Sequence, residues 1–144
     1  MGGNDPYNLE RFVDAQERVR QAVSAELRDG QKRSHWMWFV FPQLKGLGMS
    51  STSQHYGLGS LKEAEAYLEH PVLGKRLIEW TGLAVGHEGK SAEQIFGYPD
   101  YLKFRSSMTL FSRAKNADPL FARALETFYG GRPDRKTLEL LGVS

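Results

Sequence analysis

The sequence predicts an all-α fold, a single compact domain in which about seven or eight helices form an irregular, orthogonal array. Apolar residues recur at helical spacing along most of the chain, and capping residues, glycines and prolines divide it into segments. No segment shows the sustained alternation of β-branched residues that predicts a strand, and no repeat of fixed period indicates a solenoid. We expect the helical domain to span residues 7–142 and to follow a flexible N-terminus of residues 1–6.

Three helices are predicted in the N-terminal half of the chain. The first begins at the capping residue Asn8 and ends at Gly30, with apolar residues three or four positions apart between them. The second is segment 34–41, whose sequence SHWMWFVF is apolar on every side, so that both of its tryptophans should be buried. A proline follows this segment and ends the helix. The third helix starts with a capping box of Ser60 and Glu63.

The remaining helices carry a proline or a capping residue at their N-terminal ends. These residues are Pro71, Ser91, Pro99, Asp118 and Pro133. Ser91 forms a second capping box with Gln94, and Gly97 ends this short helix. The helix that opens at Pro99 should run to Lys115 and bury one apolar stripe, which consists of Tyr101, Phe104, Met108 and Phe111.

Composition limits the classes of partner. The 19 basic and 17 acidic residues give a net charge of +2, and they alternate instead of forming a basic block, so nucleic-acid binding is not expected. The absence of cysteine excludes disulfides, thiolate catalysis and cysteine zinc sites, and is compatible with a reducing compartment. No apolar stretch approaches the roughly 18 to 20 residues that span a bilayer, and no secretion signal is visible. We expect a cytoplasmic protein that does not bind membranes.

Three segments are distinctive enough to suggest a family. Residues 35–43 (HWMWFVFPQ), 96–100 (FGYPD) and 106–111 (SSMTLF) resemble the domain-of-unknown-function family 1810, and the resemblance extends from about residue 7 to residue 141. It implies a compact, mainly helical single domain, and it implies no activity, cofactor or catalytic residue. Some members are labelled calpastatin, a name that suits a disordered inhibitor, but 40% hydrophobic and 12% aromatic residues indicate a chain that folds.

Segment 43–57, after the aromatic helix, is a candidate binding loop. It combines glycines and hydroxyl residues with Lys45 and His55, and glycines allow backbone donors to approach an anion. It matches neither phosphate-loop motif, so an ordinary connecting loop is the alternative. His35, at the start of the aromatic segment, could serve as a base or as an aromatic wall for a ligand. The alternative for His35 is a structural role, with one ring nitrogen donating to a backbone carbonyl.

The start of the helix that opens at Pro99 is the second candidate segment. We expect Asp100, Lys103 or Arg105 to meet region 35–56 and to complete a cleft that carries both signs of charge. The small hydroxyl residues further along this helix have a simpler interpretation, because they permit close packing and bond to the preceding turn.

The leading hypothesis is a pocket for a small anionic or nucleotide-like metabolite, with or without turnover of that ligand. Aromatic walls offer stacking while lysine or arginine offers charge, as cofactor sites usually do. The candidate ligand-binding residues are His35, Trp38, Gln43, Lys45, His55, Tyr56, Asp100, Lys103 and Arg105. No catalytic residue is predicted, because no GxSxG motif is present and no carboxylate pair can be identified. No cofactor and no metal site are predicted, since the four histidines lack the spacing of metal ligands.

A different class of function explains the same residues. In this alternative the aromatics are core, and the chain is a helical protein-interaction module without catalytic activity. It would dock a protein partner through an exposed apolar helix face.

Overall fold

The computed structural model describes residues 5–143, and this range contains ten α-helices and no strand. The helices are α1 (Glu10–Glu17), α2 (Arg20–Asp29), α3 (Met37–Val40), α4 (Ser51–Tyr56), α5 (Leu61–Glu69), α6 (Leu73–Val85), α7 (Ala92–Phe96), α8 (Asp100–Ser112), α9 (Pro119–Tyr129) and α10 (Arg135–Leu141). The all-α prediction is confirmed, and the helix count is slightly higher than predicted. Residues 1–4 of the N-terminus predicted to be flexible lie outside the described range.

The long first helix of the prediction is two helices in the structure. A tight turn separates α1 from α2, with Val19 N–H donating to the Gln16 carbonyl at 3.0 Å. The apolar spacing continues across this turn, which contains neither glycine nor proline, so the pattern could not indicate the break. Asn8 does not cap α1. The Asp5 carboxylate accepts from the backbone N–H groups of Leu9 and Glu10 instead.

The aromatic segment forms only one helical turn, α3, and its burial is uneven. Trp36, Met37 and Val40 are buried, whereas Trp38 is half-buried and His35 is exposed. The prediction that no face of this segment meets solvent was therefore wrong. Arg33, Ser34 and Trp36 make hydrogen bonds, described below, to the side chain of a preceding helix, and these bonds hold the start of the segment in a non-helical conformation.

The core is a continuous set of aromatic contacts around α8. The Phe104 ring lies 4.9 Å from that of Phe41 and 4.5 Å from that of Phe96, measured between centroids. On the next turns of α8, Phe111 lies 5.4 Å from Tyr67 of α5. Helices α3, α5, α7, α9 and α10 all pack against α8. Because Phe104, Met108 and Phe111 are fully buried, the predicted core stripe is confirmed for these residues.

One close helix contact depends on glycine. A Cβ atom added to Gly74 of α6 would lie 2.0 Å from the backbone oxygen of Leu68 in α5. Any side chain at this position would separate the two helices. Within the described range, no helix is long and apolar enough to cross a membrane.

Candidate functional site

Two lysines share the carboxylate of Asp100, the first residue of α8. Lys32 Nζ lies 2.8 Å from Asp100 Oδ2, and Lys103 Nζ lies 3.7 Å from Oδ1. Each ammonium also lies over an indole ring. Lys32 Nζ is 5.1 Å from the ring centroid of Trp36, and Lys103 Nζ is 5.2 Å from that of Trp38. The cluster therefore holds two positive charges against one negative charge, beside both tryptophans of the aromatic segment.

The two lysines differ in accessibility. The side chains of Lys32 and Asp100 are only 8% and 19% exposed, and their charges pair tightly. The side chain of Lys103 is 25% exposed and lies farther from the carboxylate. A charged group becomes more costly to move as its burial increases and its pairing tightens. Lys103 is thus the cation of this cluster that a ligand can reach.

Lys103 lines a small cleft, here called the Trp38 cleft. Its lining residues are Met37, Trp38, Phe41, Gln43, Ser53, Tyr56 and Lys103. The aromatic rings form its walls, while Gln43 supplies an amide and Ser53 and Tyr56 supply hydroxyls. The enclosed space is about 10 Å³, which is room for about one water molecule. In this conformation the cleft is closed.

Residues 45–57 form a loop, here called the α4 loop, that contributes Ser53 and Tyr56 to the lining of the Trp38 cleft. The two ends of the loop lie close together and form its neck. Leu44 and Leu58 form an isolated parallel bridge, in which Lys45 N–H donates to the Leu58 carbonyl at 2.7 Å. Gly57 is required at this neck, because an added Cβ atom would lie 2.8 Å from the Cα atom of Lys45. The loop carries α4, in which no residue is buried, and Met49 just before it is 83% exposed. The loop meets the core through Leu47 and Tyr56, and the Tyr56 ring lies 5.7 Å from that of Phe12 and 5.2 Å from that of Phe39.

Arg11 holds one end of this loop in place. Its guanidinium donates to the carbonyl oxygens of His55 at 2.9 Å and Gly57 at 3.3 Å, and it pairs with Glu63 at 3.1 Å. The first part of the loop is held by other contacts: Leu47 N–H donates to the Leu44 carbonyl at 3.4 Å, and Gln54 Nε2 donates to the Met49 carbonyl at 3.2 Å.

The nine predicted ligand-binding residues divide among several places. Trp38, Gln43, Tyr56 and Lys103 line the Trp38 cleft, and Asp100 pairs with Lys103 beside it. His55 packs its ring edge on Tyr56 but lines a neighbouring surface groove with Arg11 and Arg18. Lys45 and His35 are exposed and do not line the cleft.

Arg105 lies on another side of α8. Its Nε atom donates to the Arg132 carbonyl at 2.9 Å, and its guanidinium carbon lies 5.7 Å from the Tyr129 ring centroid. Burial raises the pKa of the Tyr129 hydroxyl well above its ordinary value, so this ring stays uncharged beside the guanidinium. Arg105 lines a cleft of about 670 Å³, here called the Arg105 cleft. Arg105 is therefore not part of the cluster that Lys32, Asp100 and Lys103 form.

Glu26 of α2 holds the chain segment that leads into Trp36 and Trp38. Its carboxylate accepts from Arg33 N–H at 2.8 Å, from Ser34 N–H and Oγ at 3.1 and 2.7 Å, and from Trp36 Nε1 at 2.9 Å. Burial alone would raise the pKa of this carboxyl, but the hydrogen bonds outweigh burial and hold the pKa below its ordinary value. Glu26 thereby fixes the stretch that directly follows Lys32 and carries Trp36, over whose ring the Lys32 ammonium lies.

Sequence reasoning missed Lys32, Ser53 and Glu26 as contributors to this region. Lys32 and Glu26 resemble the many other charged residues on amphipathic helices and their flanks, and no local motif sets them apart. Ser53 occurs in the candidate loop among other hydroxyl residues. Across residues 5–143, no three His, Asp or Glu side chains cluster in a way that could hold a metal ion.

The exposed apolar residues bear on the interaction-module alternative. Six large apolar side chains are exposed among the described residues: Met49, Ile78, Tyr98, Leu102, Leu140 and Val143. They belong to four separate segments of the chain, which are the α4 loop, α6, the start of α8 and the C-terminal end. Among the helices of residues 5–143, none therefore presents a long row of large apolar side chains to solvent.

Comparison with known proteins identifies relatives of the chain. A family model described as "Protein of unknown function (DUF1810)" matches residues 6–141, which confirms the family resemblance of the aromatic segments. Among solved structures, the conserved hypothetical protein Rv1873 from Mycobacterium tuberculosis is 56% identical and superimposes with a TM-score of 0.94. The match covers 97% of this chain and 100% of the Rv1873 chain. No curated protein matches the chain.

Proposed function

The chain belongs to the DUF1810 family of proteins of unknown function, and we propose that it binds a small anionic or nucleotide-like metabolite in the Trp38 cleft. One observation carries this proposal. Lys103 presents its ammonium group over the Trp38 ring, loosely paired with Asp100, at the wall of a cleft that also contains an amide and two hydroxyls.

Charge favours an anion at this position. Asp100 already pairs closely with Lys32, so it cannot fully neutralise Lys103 as well. A carboxylate or phosphate group near Lys103 would complete the charge balance of the cluster. It would do so in a partly desolvated cleft, where a charge-assisted hydrogen bond is stronger than in water.

The remaining lining residues suit a planar ligand with polar edges. The half-buried indole of Trp38 offers a face for stacking, and Tyr56 lies across the cleft. Gln43 can both donate and accept hydrogen bonds, and the Ser53 and Tyr56 hydroxyls can do the same. A nucleotide base or another aromatic metabolite with an acidic group meets both requirements.

Entry of a ligand requires the α4 loop to move outward, because the closed cleft has room for only about one water molecule. The bridge between Leu44 and Leu58 would hold the neck of the loop during this movement. No residue of α4 is fully buried, but the movement would separate the Tyr56 ring from those of Phe12 and Phe39. Loop motions of this kind are common in ligand-binding proteins.

The test combines a ligand screen with a lysine variant. Thermal-shift screening against anionic metabolites should identify ligands, because a molecule that binds only the folded state raises the Tm. Lys103→Gln should then weaken the binding of such a ligand by about 1 to 3 kcal/mol, the range for a charge-assisted hydrogen bond. The free energy of unfolding of this variant should change by less than about 0.5 kcal/mol.

Lys45→Gln is the matched control. It removes the same charge from the α4 loop, where the side chain is exposed and does not line the cleft. We expect its ligand affinity to stay close to that of the wild type. Equal losses in the two variants, or an unchanged affinity in Lys103→Gln, would show that the ligand binds elsewhere.

A cytoplasmic location is part of the proposal. Its support is a chain of 144 residues without cysteine, which needs no oxidising compartment to fold.

A further inference from the structure

The Arg105 cleft lies between α8 and the C-terminal helix α10. Its cationic lining residues are Arg105, Arg132, Arg135 and Lys136, and its apolar lining residues are Pro133, Leu138 and Val143. Asp134 and Glu139 complete the lining. Its volume of about 670 Å³ falls within the range of small-molecule sites, roughly 300 to 1,000 Å³. Unlike the Trp38 cleft, it is open in this conformation.

Positive charge dominates this cleft. Asp134 is occupied as the cap of α10, since its carboxylate accepts from Thr137 N–H at 2.9 Å and from Thr137 Oγ1 at 2.6 Å. Glu139 is the other acidic residue of the lining. In the part of the chain that the structure describes, none of the four cations forms an ion pair with a carboxylate. The lining therefore carries four positive charges and two negative charges, a net charge of +2.

The cleft is also held in shape by contacts to α8. Arg105 Nε donates to the Arg132 carbonyl, and the guanidinium lies near the Tyr129 ring. The two terminal amino groups of the guanidinium can therefore donate to a ligand. Thr109 Oγ1 accepts from Asp134 N–H at 2.8 Å and donates to the Arg105 carbonyl at 2.8 Å. These bonds attach the segment that carries Arg132 and Arg135 to the helix that carries Arg105.

We propose that the Arg105 cleft binds the phosphate groups of a small polyphosphorylated molecule, at a second site distinct from the Trp38 cleft. Guanidinium groups bind phosphate oxygens in pairs, and several of them together match a ligand with more than one phosphate. Pro133, Leu138 and Val143 supply apolar surface for the organic part of such a molecule. Lys103 and Arg105 are two residues apart on α8, and side chains at that spacing point about 200° apart, which separates the two sites.

The test uses inorganic pyrophosphate as the probe, with isothermal titration calorimetry and NMR of the backbone amides and the arginine Nε–H groups. We expect pyrophosphate to shift the Arg105 Nε–H signal and the amide signals of residues 132–136. Arg105→Gln and Arg135→Gln should each weaken pyrophosphate binding by about 10- to 100-fold. Arg135 is exposed, so its replacement tests the site without disturbing the core.

Arg28→Gln is the matched control for net charge. Arg28 lines a different basic surface together with Arg18 and Arg20, at α2 and the turn before it, and the apolar part of that lining is Ala22 alone. Its pyrophosphate affinity should equal that of the wild type. The proposal would be overturned by an absence of pyrophosphate binding at millimolar concentration, by equal losses in all three variants, or by shifts centred on α2. Tighter binding of a short RNA than of pyrophosphate at the same salt concentration would overturn the assignment to a small molecule.

Discussion

Trp36 Nε1 donates a hydrogen bond of 2.9 Å to the carboxylate of Glu26, which lies on a different helix and is itself almost fully buried. The same carboxylate accepts from the backbone of Arg33 and Ser34. One side chain thus determines how the chain leaves α2 and enters α3. Since Lys32 lies just before this stretch and Trp38 just after it, Glu26 indirectly positions the wall of the Trp38 cleft.

We predict that Glu26→Gln lowers stability and changes its dependence on pH. The side-chain amide of the variant has one NH2 group, which would face the N–H and O–H donors that now bond to the carboxylate. The free energy of unfolding should therefore fall by about 2 to 3 kcal/mol. The pKa of Glu26 is lowered in the folded state, so its contribution to stability is present above the ordinary glutamate pKa of 4.5 and is lost as the pH falls below it. Urea unfolding from about pH 3, below the ordinary glutamate pKa, to about pH 7, where the carboxyl is fully ionised in both states, measures both effects. An acid dependence identical in variant and wild type would contradict the role of Glu26.

The two tryptophans of the aromatic segment should differ in their contributions. Trp36→Ala should lower the free energy of unfolding by about 3 to 5 kcal/mol, because the ring is fully buried and leaves a cavity. Trp38→Ala should cost clearly less, about 1 to 2 kcal/mol, because half-burial removes less area from water. Denaturant melts of both variants make the comparison. Equal losses would mean that Trp38 is as buried as the sequence suggested.

Asp100→Asn should destabilise the protein through Lys32. Removal of the carboxylate leaves a lysine side chain that is only 8% exposed without its counter-ion, which should cost about 2 to 4 kcal/mol. A double-mutant cycle with Lys32→Gln measures the coupling, because the second change removes the unpaired charge. The double variant should be more stable than the sum of the single losses predicts. Strict additivity would show that the ion pair does not couple these residues.

Two glycines of α6 provide a matched pair for helix packing. Gly74→Ala should lower the free energy of unfolding by at least about 2 kcal/mol, because the new Cβ atom would meet the Leu68 backbone at 2.0 Å and force α5 and α6 apart. Gly82→Ala, on the same helix, meets its nearest atom at 3.9 Å and should be neutral or stabilising by up to about 1 kcal/mol. Thermal or urea unfolding distinguishes them. A Gly74→Ala protein as stable as the wild type would contradict the close contact.

Much of the fold depends on short-range hydrogen bonds, and these could be predicted. Ser91 and Gln94 form the predicted capping box at α7, because both of its bonds join residues only three positions apart. At α5, Ser60 accepts from Glu63 N–H as predicted, but the Glu63 carboxylate accepts from Gly59 N–H at 2.9 Å instead of from Ser60 N–H. Sequence patterns failed where the deciding partner lies in another helix. The aromatic segment is apolar enough for a buried helix, yet Glu26 holds its first residues outside the helix, and His35 is exposed to solvent.

The sequence by itself determined which residues can share a helix face, because each residue of an α-helix is rotated by about 100° from the last. It therefore placed Phe104, Met108 and Phe111 in the core and Asp100 with Lys103 on a common side of α8. Only the tertiary structure decided which residues they meet. Packing of α3 against α8 brings Trp38 to Lys103, and packing of α10 against α8 brings Arg105 to Arg132. Such contacts join distant parts of the chain, and no local pattern of residues encodes them.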